Sequence, residues 1–241
     1  MNDKTSTKAA IMTGQANKLS QNVIGMTLIS VNLGRPREVL HNGRLVNTGI
    51  FKFPVDGPVW LGRLNLAGDG QADLRVHGGE DKAVYLYPSE HYAFWTGELG
   101  RKDFLPGQFG ENFTTGGLLE DKIGIGDVFR VGTAQVQVTQ PRTPCFKLGI
   151  RMGDDQFPAR FAAANRTGFY LRVLEEGRVT AGDAIERIER AADSMSVHDL
   201  FRLRLVGGTR AEHEYAARLP GLSLSWRAAF EKRLAESTDF N

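Results

Sequence analysis

Short apolar runs separated by Gly, Asn and Pro constrain the fold of this chain more than any other feature. Residues 134–138 read Ala-Gln-Val-Gln-Val, the period-two pattern of a strand with one buried face. Residues 123–131 precede this strand across a Gly-Thr turn, which predicts a β-hairpin. A second hairpin is predicted from residues 169–174 and the stretch that begins at Val179. The sequence therefore predicts a mainly β fold whose sheet is closed or folded over on itself.

Helix start signals replace strand signals toward the C-terminus. Residues 196–199 and 209–212 each resemble a capping box, and a serine at 223 or 225 can begin a third helix. Trp226 and Phe230 stand four apart in that third helix, a spacing typical of a core stripe. The pattern predicts a small three-helix module.

We divide the chain into three parts on this basis. Residues 1–22 are polar and lack apolar periodicity, so they are predicted to form a flexible tail. Residues 23–190 form the predicted β domain, in which residues 90–95 and 157–165 have the pattern of short helices. Residues 192–236 form the three-helix module.

Composition and charge exclude several classes of function. Hydrophobic residues make up 41% of the chain and charged residues 24%, as in ordinary globular proteins. The net charge is only +2 and no Lys/Arg run is interleaved with aromatics, so we expect no nucleic-acid partner. No apolar stretch is long enough for a membrane helix or a signal peptide, which predicts a cytoplasmic protein. Neither the dinucleotide-binding glycine spacing nor a phosphate-binding loop is present, so bound NAD or ATP is not indicated.

The chain contains a single cysteine, Cys145, which excludes an internal disulfide and an iron–sulfur cluster held by several of its own cysteines. A reducing compartment is therefore expected. If the protein carries out redox chemistry, its electrons must come from another protein.

Two polar segments have residues suited to ligand binding. Residues 76–84 contain a double glycine beside His77 and Lys82, which can bring backbone N–H groups and cations close to an anion. Residues 109–118 contain Glu111 and Asn112, whose side chains can recognise the edge of a heterocycle. Taken alone, the first segment is more typical of a polar turn, and the second is equally explained as a glycine-rich loop formed for conformational reasons.

A third segment, residues 140–147, surrounds the cysteine. Two prolines restrict the backbone on either side of Arg142 and Thr143, and the cations Arg142 and Lys147 bracket Cys145. Nearby cations lower the pKa of a thiol and favour the thiolate, which attacks electrophiles or binds soft metals. A lone cysteine without such neighbours is more often a small buried apolar residue.

In their order and spacing these segments resemble the MOSC family (molybdenum cofactor sulfurase C-terminal domain), specifically its YiiM-like branch. The resemblance covers about residues 25–190, and residues 192–236 resemble the three-helix C-terminal module of that branch. It is carried by Val-His-Gly-Gly at 76–79, Lys-Ala-Val at 82–84, Tyr-Pro at 87–88, Gly-Glu-Asn at 110–112, Gln-Pro-Arg at 140–142 and Pro-Cys at 144–145.

The resemblance implies a β-barrel-like fold and a molybdenum cofactor of the molybdopterin type, with Cys145 as the protein ligand of the metal. It also implies reduction of small N-hydroxylated compounds such as N-hydroxylated purines or amidoximes, with electrons from a separate flavin reductase. His77 is the first candidate for a proton donor, since imidazole titrates near neutral pH, and Asp81 is the second. The residues expected to bind the cofactor are Arg142, Thr143, Lys147, Lys82, Gly78, Gly79, Glu111 and Asn112.

Two other functions remain open from the sequence. The family also contains proteins in which the equivalent cysteine is proposed to carry sulfur as a persulfide, which would make Cys145 a sulfur carrier. Alternatively, the chain is a non-catalytic ligand-binding β module whose helices recruit a partner. Broad descriptions of the family mention pyridoxal phosphate, but no lysine signature for a Schiff base is found, so this cofactor is not expected.

Overall fold

The structure is a computed structural model that describes residues 25–73 and 78–236. The tail predicted for residues 1–22 and the candidate proton donor His77 lie outside the described residues. Among the described residues, no helix combines the length and apolar character needed to cross a membrane.

Twelve strands are formed by the described residues, and eight of them make one sheet in the order β12-β8-β9-β10-β6-β7-β1-β4. Strands β6 and β7 run parallel, whereas β10 is antiparallel to both of its neighbours. Two further two-stranded sheets pair β2 with β3 and β5 with β11. The strands are β1 Thr27–Leu33, β2 Arg37–His41, β3 Arg44–Thr48, β4 Phe53–Pro54, β5 Val59–Leu61, β6 Val84–Pro88, β7 Phe113–Gly116, β8 Val128–Val131, β9 Ala134–Pro141, β10 Phe169–Glu175, β11 Gly177–Val179 and β12 Ile185–Glu189.

The eight-stranded ladder ends at β12 and β4, so it is not a closed barrel. The sheet nevertheless curls back toward itself. The Leu28 N–H at the start of β1 donates to the Asp183 carbonyl oxygen at 2.9 Å, and the Ile185 N–H of β12 donates to the Met26 carbonyl oxygen at 2.8 Å. The predicted mainly β class is confirmed, with a folded-over sheet in place of a fully closed ladder.

The first predicted hairpin is confirmed and the second is wrong. Strands β8 and β9 pair across a turn in which Gly132 has a positive φ of 56°, as a tight hairpin turn requires. Strand β10 instead pairs with β9 and β6, and the chain then crosses to pair β11 with the distant strand β5. Gly177 begins β11 where the backbone at Thr133 and Ala134 would lie only 2.5 Å from an added Cβ, so this crossing requires glycine.

Six helices accompany the sheet in the described ranges, and the predicted three-helix module is confirmed as α4–α6. Ser196 caps α4 by accepting from the Asp199 N–H at 3.0 Å, and Thr209 forms a complete capping box with Glu212. The Ser223 hydroxyl accepts from the Trp226 N–H at 3.3 Å. The helices are α1 Glu90–Leu99, α2 Phe146–Met152, α3 Phe157–Ala163, α4 Val197–Val206, α5 Arg210–Arg218 and α6 Leu224–Glu236.

Two hydrophobic clusters stabilise the fold. The larger one joins the inner face of the sheet to the three-helix module and includes Trp226 and Phe230, so the predicted core stripe is confirmed. The smaller one is an aromatic cluster beneath β6, in which Phe161 stacks on Trp95 and Tyr87. Burial of aromatic side chains contributes a large share of core stability.

Candidate functional site

A cavity opens where β3, β6 and the segment after β9 come together, and its empty space is about 600 Å³ when the solvent at its mouth is included. It brings together six of the predicted site residues. These are Gly78, Lys82, Asn112, Arg142, Cys145 and Lys147.

The end of β9 positions the cysteine. The Arg142 N–H donates to the Gly168 carbonyl oxygen at 3.0 Å, which ties the segment to the start of β10. Cys145 then takes extended backbone angles as the N-cap of α2, and its carbonyl oxygen accepts from the Leu148 N–H at 2.9 Å. The thiol is half-buried and lines the cavity. The sequence predicted a rigid loop here but missed α2, which fixes the backbone directly after the thiol.

Arg142 forms a charged wall of the cavity although its side chain is 5% exposed. Its guanidinium lies 4.6 Å from the centre of the Tyr85 ring and donates to the Tyr85 hydroxyl at 3.3 Å. Burial alone would lower the pKa of Arg142, but the Tyr85 and Tyr170 phenols and the Cys145 thiol act against this and leave it above its ordinary value. The guanidinium is therefore a fixed positive charge beside the thiol.

The second charged wall is formed by Lys82, which follows the double glycine. Gly78 and Gly79 have φ values of 143° and 85°, in the left-handed half of backbone space that favours glycine. They lead into a short 3-10 turn, Glu80–Lys82, in which the Lys82 N–H donates to the Gly79 carbonyl oxygen at 3.0 Å. Burial lowers the pKa of the Lys82 ammonium, and Asp81 counters part of that effect.

Lys52, which is held by a buried ion pair with Asp69, forms part of the third wall. The Lys52 ammonium contacts both carboxylate oxygens of Asp69, at 2.5 and 2.6 Å. Asn112 joins this pair to the sheet, because its side-chain amide donates to Asp69 at 2.9 Å while its oxygen accepts from the Tyr85 N–H at 3.1 Å. The predicted contact residue Asn112 thus both lines the cavity and holds its wall.

Four other predicted site residues do not line the cavity. Thr143 and Gly79 are exposed. Glu111 is fully buried and accepts from the Gly107 and Phe109 N–H groups, at 2.8 and 3.0 Å, so it shapes its own loop. Asp81 pairs with Arg172 of β10 at 2.6 Å and accepts from the Leu224 N–H of the three-helix module at 3.1 Å.

Sequence reasoning missed Lys52, Asp69, Tyr85 and Tyr170. For Lys52 a signal existed, since a single lysine between Ile-Phe and Phe in residues 50–53 is unusual in a short apolar run. The tyrosines have no comparable signal, because alternating aromatic and aliphatic residues are ordinary in a buried strand.

The comparisons with known proteins fit this arrangement of a thiol and cations in a mainly β domain followed by three helices. The MOSC domain model matches residues 73–186. The model described as "YiiM-like, 3-alpha helix domain" matches residues 195–236. The chain belongs to the MOSC family, in its YiiM-like branch.

Individual relatives extend this result over most of the chain. Protein YflK of Bacillus subtilis (strain 168) is 43% identical over 215 residues, which cover 86% of this chain and 94% of the relative. The crystal structure of YiiM from Geobacillus stearothermophilus has a TM-score of 0.74 and 38% identity, and the match covers 87% of this chain and 99% of that one. A "Reductase" of Gibberella moniliformis (strain M3125 / FGSC 7600) is 32% identical over 179 residues, which cover 73% of this chain but only 32% of the fungal protein.

Proposed function

We propose that this protein is a cytoplasmic, molybdenum-cofactor-dependent reductase of small N-hydroxylated compounds, such as N-hydroxylated purines or amidoximes. The observation that carries the proposal is the shared cavity of the Cys145 thiol with Arg142, Lys82 and Lys147. The fungal relative described as a reductase supports the same class of chemistry.

The chemistry of these donors fits a molybdenum cofactor. A thiolate is a soft ligand suited to the metal, and the cations are suited to the phosphate group of a pterin cofactor. Cys145 would bind the metal, while Arg142, Lys147 and Lys82 would hold the anionic part. When bound, the cofactor would supply the two-electron and oxygen-transfer chemistry.

The protein's own residues would bind, orient and shield the substrate. Tyr85 and Tyr170, whose ring centres lie 5.4 Å apart, offer an aromatic wall for a flat substrate. Reduction of an N–OH group to N–H and water requires two electrons and two protons. With one cysteine in the chain, we propose that a separate flavin reductase supplies the electrons.

The test is the molybdenum content of protein produced in a host that makes the cofactor. Wild type is expected to retain molybdenum, and Cys145→Ala is expected to lose it. The matched control adds Ala93→Cys to Cys145→Ala, which restores one thiol at an exposed position of α1 and should not restore the metal. Molybdenum absent from wild type, or retained equally by Cys145→Ala, would remove the proposal.

Two further measurements separate the alternatives. Wild type should reduce benzamidoxime or an N-hydroxylated purine with a reduced viologen as artificial electron donor, whereas Cys145→Ala should not. If the protein is instead a sulfur carrier, exposure to a cysteine desulfurase should add about 32 Da to the Cys145 peptide, the mass of one persulfide sulfur. A non-catalytic module would give neither result.

A further inference from the structure

The buried ion pair in the cavity wall is costly to maintain. Lys52 is 6% exposed, and the Asp69 side chain is fully buried. Transfer of an ion from water to a buried site costs roughly several kcal/mol, and the attraction between the two ions must offset this cost. An apolar pair of similar volume would fill the same space without this cost, so the pair calls for a functional explanation.

The carboxylate of this pair is fixed in place by neighbouring groups. Asp69 accepts from the Gly34 N–H at 2.9 Å and from the Asn112 amide at 2.9 Å, in addition to Lys52. An ammonium has three N–H donors. The described residues provide two acceptors for the Lys52 ammonium, both on Asp69, which leaves one N–H for a ligand in the cavity that Lys52 lines.

The charges around Lys52 suit a group that changes protonation. Burial lowers the pKa of its ammonium, and the carboxylates of Asp69 and Glu111 act against that change. A lysine with a lowered pKa gives up a proton more readily near neutral pH than an exposed lysine. The other charged or titratable residues that line the cavity are Lys82, Tyr85, Arg142, Cys145, Lys147 and Tyr170.

We propose that Lys52 donates a proton during N–O cleavage in this cavity, with Asp69 as the residue that positions the ammonium and stabilises its charge. This inference rests on the proposed function. The substrate R–NH–OH takes up two electrons from the flavin reductase and two protons, the N–O bond breaks, and R–NH₂ and water form. One proton comes from the Lys52 ammonium and the other from solvent. The neutral Lys52 side chain is then reprotonated from solvent, and the Asp69 carboxylate stabilises the restored charge.

Lys52 suits this step better than the other cations of the cavity. Arg142 cannot release a proton in the working pH range, because a guanidinium stays protonated. Lys82 and Lys147 lie beside the double glycine and the cysteine, where the proposed function assigns them to the anionic part of the cofactor. Lys52 is paired with a fully buried carboxylate that keeps it in position.

The first test is the exchange Lys52→Arg, which keeps the positive charge and the pairing with Asp69 but removes a proton that can be released. Turnover should fall by about 100-fold, the size of a general-acid contribution. The alkaline fall in turnover that marks loss of the Lys52 proton should disappear. Lys102→Arg, at an exposed lysine outside the cavity, is the matched control and should leave turnover and pH profile unchanged.

The second test needs no cofactor. In cofactor-free protein with ¹³C-labelled lysine, the signal missing from Lys52→Met identifies Lys52 in NMR spectra. The pKa read from that signal should lie below the ordinary lysine value of 10.5. It should be lower still in Asp69→Asn, because this variant lacks the carboxylate that favours the charged ammonium. In active enzyme, Asp69→Asn should move the alkaline fall in turnover to lower pH by the same amount.

The outcomes separate this inference from the proposed function. Titration of Lys52 at or above 10.5, or full turnover with an unchanged pH profile in Lys52→Arg, would overturn the role of Lys52 while the reductase activity stands. Molybdenum-free wild type without reductase activity would overturn both. A lowered Lys52 titration that shifts in Asp69→Asn, together with loss of turnover in Lys52→Arg, would support the inference.

Discussion

Replacement of Asp81 by alanine should destabilise the protein by loosening the contact between the cavity loop and the three-helix module. One carboxylate oxygen of Asp81 contacts Arg172 at 2.6 Å, and the other accepts from the Leu224 N–H at the start of α6 at 3.1 Å. Arg172 also donates to the Gly221 carbonyl oxygen at 3.3 Å, just before α6. The side chain of Asp81 is therefore occupied by structural contacts.

The size of the effect follows from these contacts. The Asp81 side chain is 26% exposed, which places the charged hydrogen bond near the lower end of its range, about 1.5 kcal/mol. Loss of the contact to the helix N–H adds about 1 kcal/mol, as for a missing N-cap. The free energy of unfolding should fall by about 2.5 kcal/mol, and Tm by about 5–10 °C for a chain of this length.

Urea denaturation of a double-mutant cycle tests this explanation. Arg172→Met should cost less than Asp81→Ala, because the Nε atom of Arg172 is buried without a hydrogen-bond partner among the described residues and its removal offsets part of the loss. The two changes should couple by about 1 kcal/mol. Asp121→Ala removes a surface ion pair with Lys122 and should change stability by less than about 0.5 kcal/mol.

Additive effects of the two substitutions would refute the explanation, because contacting groups must couple. A further variant, Asp81→Asn, tests the catalytic role first expected for Asp81. Turnover per folded molecule of Asp81→Asn should stay close to wild type, whereas a loss of about 100-fold would indicate acid–base catalysis by this residue.

Three other predictions follow from buried groups. Glu120→Ala should lower the free energy of unfolding in urea by about 3 kcal/mol, because it leaves the buried His91, which lies 2.6 Å away, without this partner; an unchanged midpoint would contradict this. Phe161→Ala should cost about 3–5 kcal/mol by opening the aromatic cluster, while Phe146→Ala at an exposed position should cost far less in the same assay. The last prediction concerns the pH range between the lowered pKa of Lys52 in the folded protein and its value of 10.5 in the unfolded chain. The unfolded chain binds more protons in this range, so the free energy of unfolding of wild type should rise with pH. The part of the rise that Lys52 contributes should vanish in Lys52→Met.

Local signals in the sequence predicted the parts of the fold that depend on neighbouring residues. The β8–β9 hairpin and the caps of α4 and α5 follow from turn residues and capping spacing, which act over a few positions. The partner of β11 did not follow, because β5 lies more than one hundred residues earlier and neither strand has a pattern that selects the other. Long-range pairing is set by the whole packed sheet.

The same distinction explains the outcome at the candidate site. The segments around Lys82, Asn112 and Cys145 stood out because each has unusual chemistry within a short stretch. Lys52 and Asp69 stand apart in loops without a shared motif, and they become a pair only when β1 and β7 bring Asn112 and the Gly34 N–H to the same point. A buried charge pair is a property of the folded chain, so sequence spacing alone could not identify it.

The contact through Asp81 also gives the three-helix module a direct connection to the cavity. Tyr170 and Arg172 alternate with the buried residues of β10, so they lie on the same face about 7 Å apart along the strand, roughly one pleat. Tyr170 lines the cavity, and Arg172 contacts Asp81. In the 3-10 turn, Asp81 faces the module and the adjacent Lys82 lines the cavity. The pair Tyr170 and Arg172 and the pair Asp81 and Lys82 therefore join the start of α6 to the cavity wall. A change that displaces α6 should also displace the Lys82 ammonium.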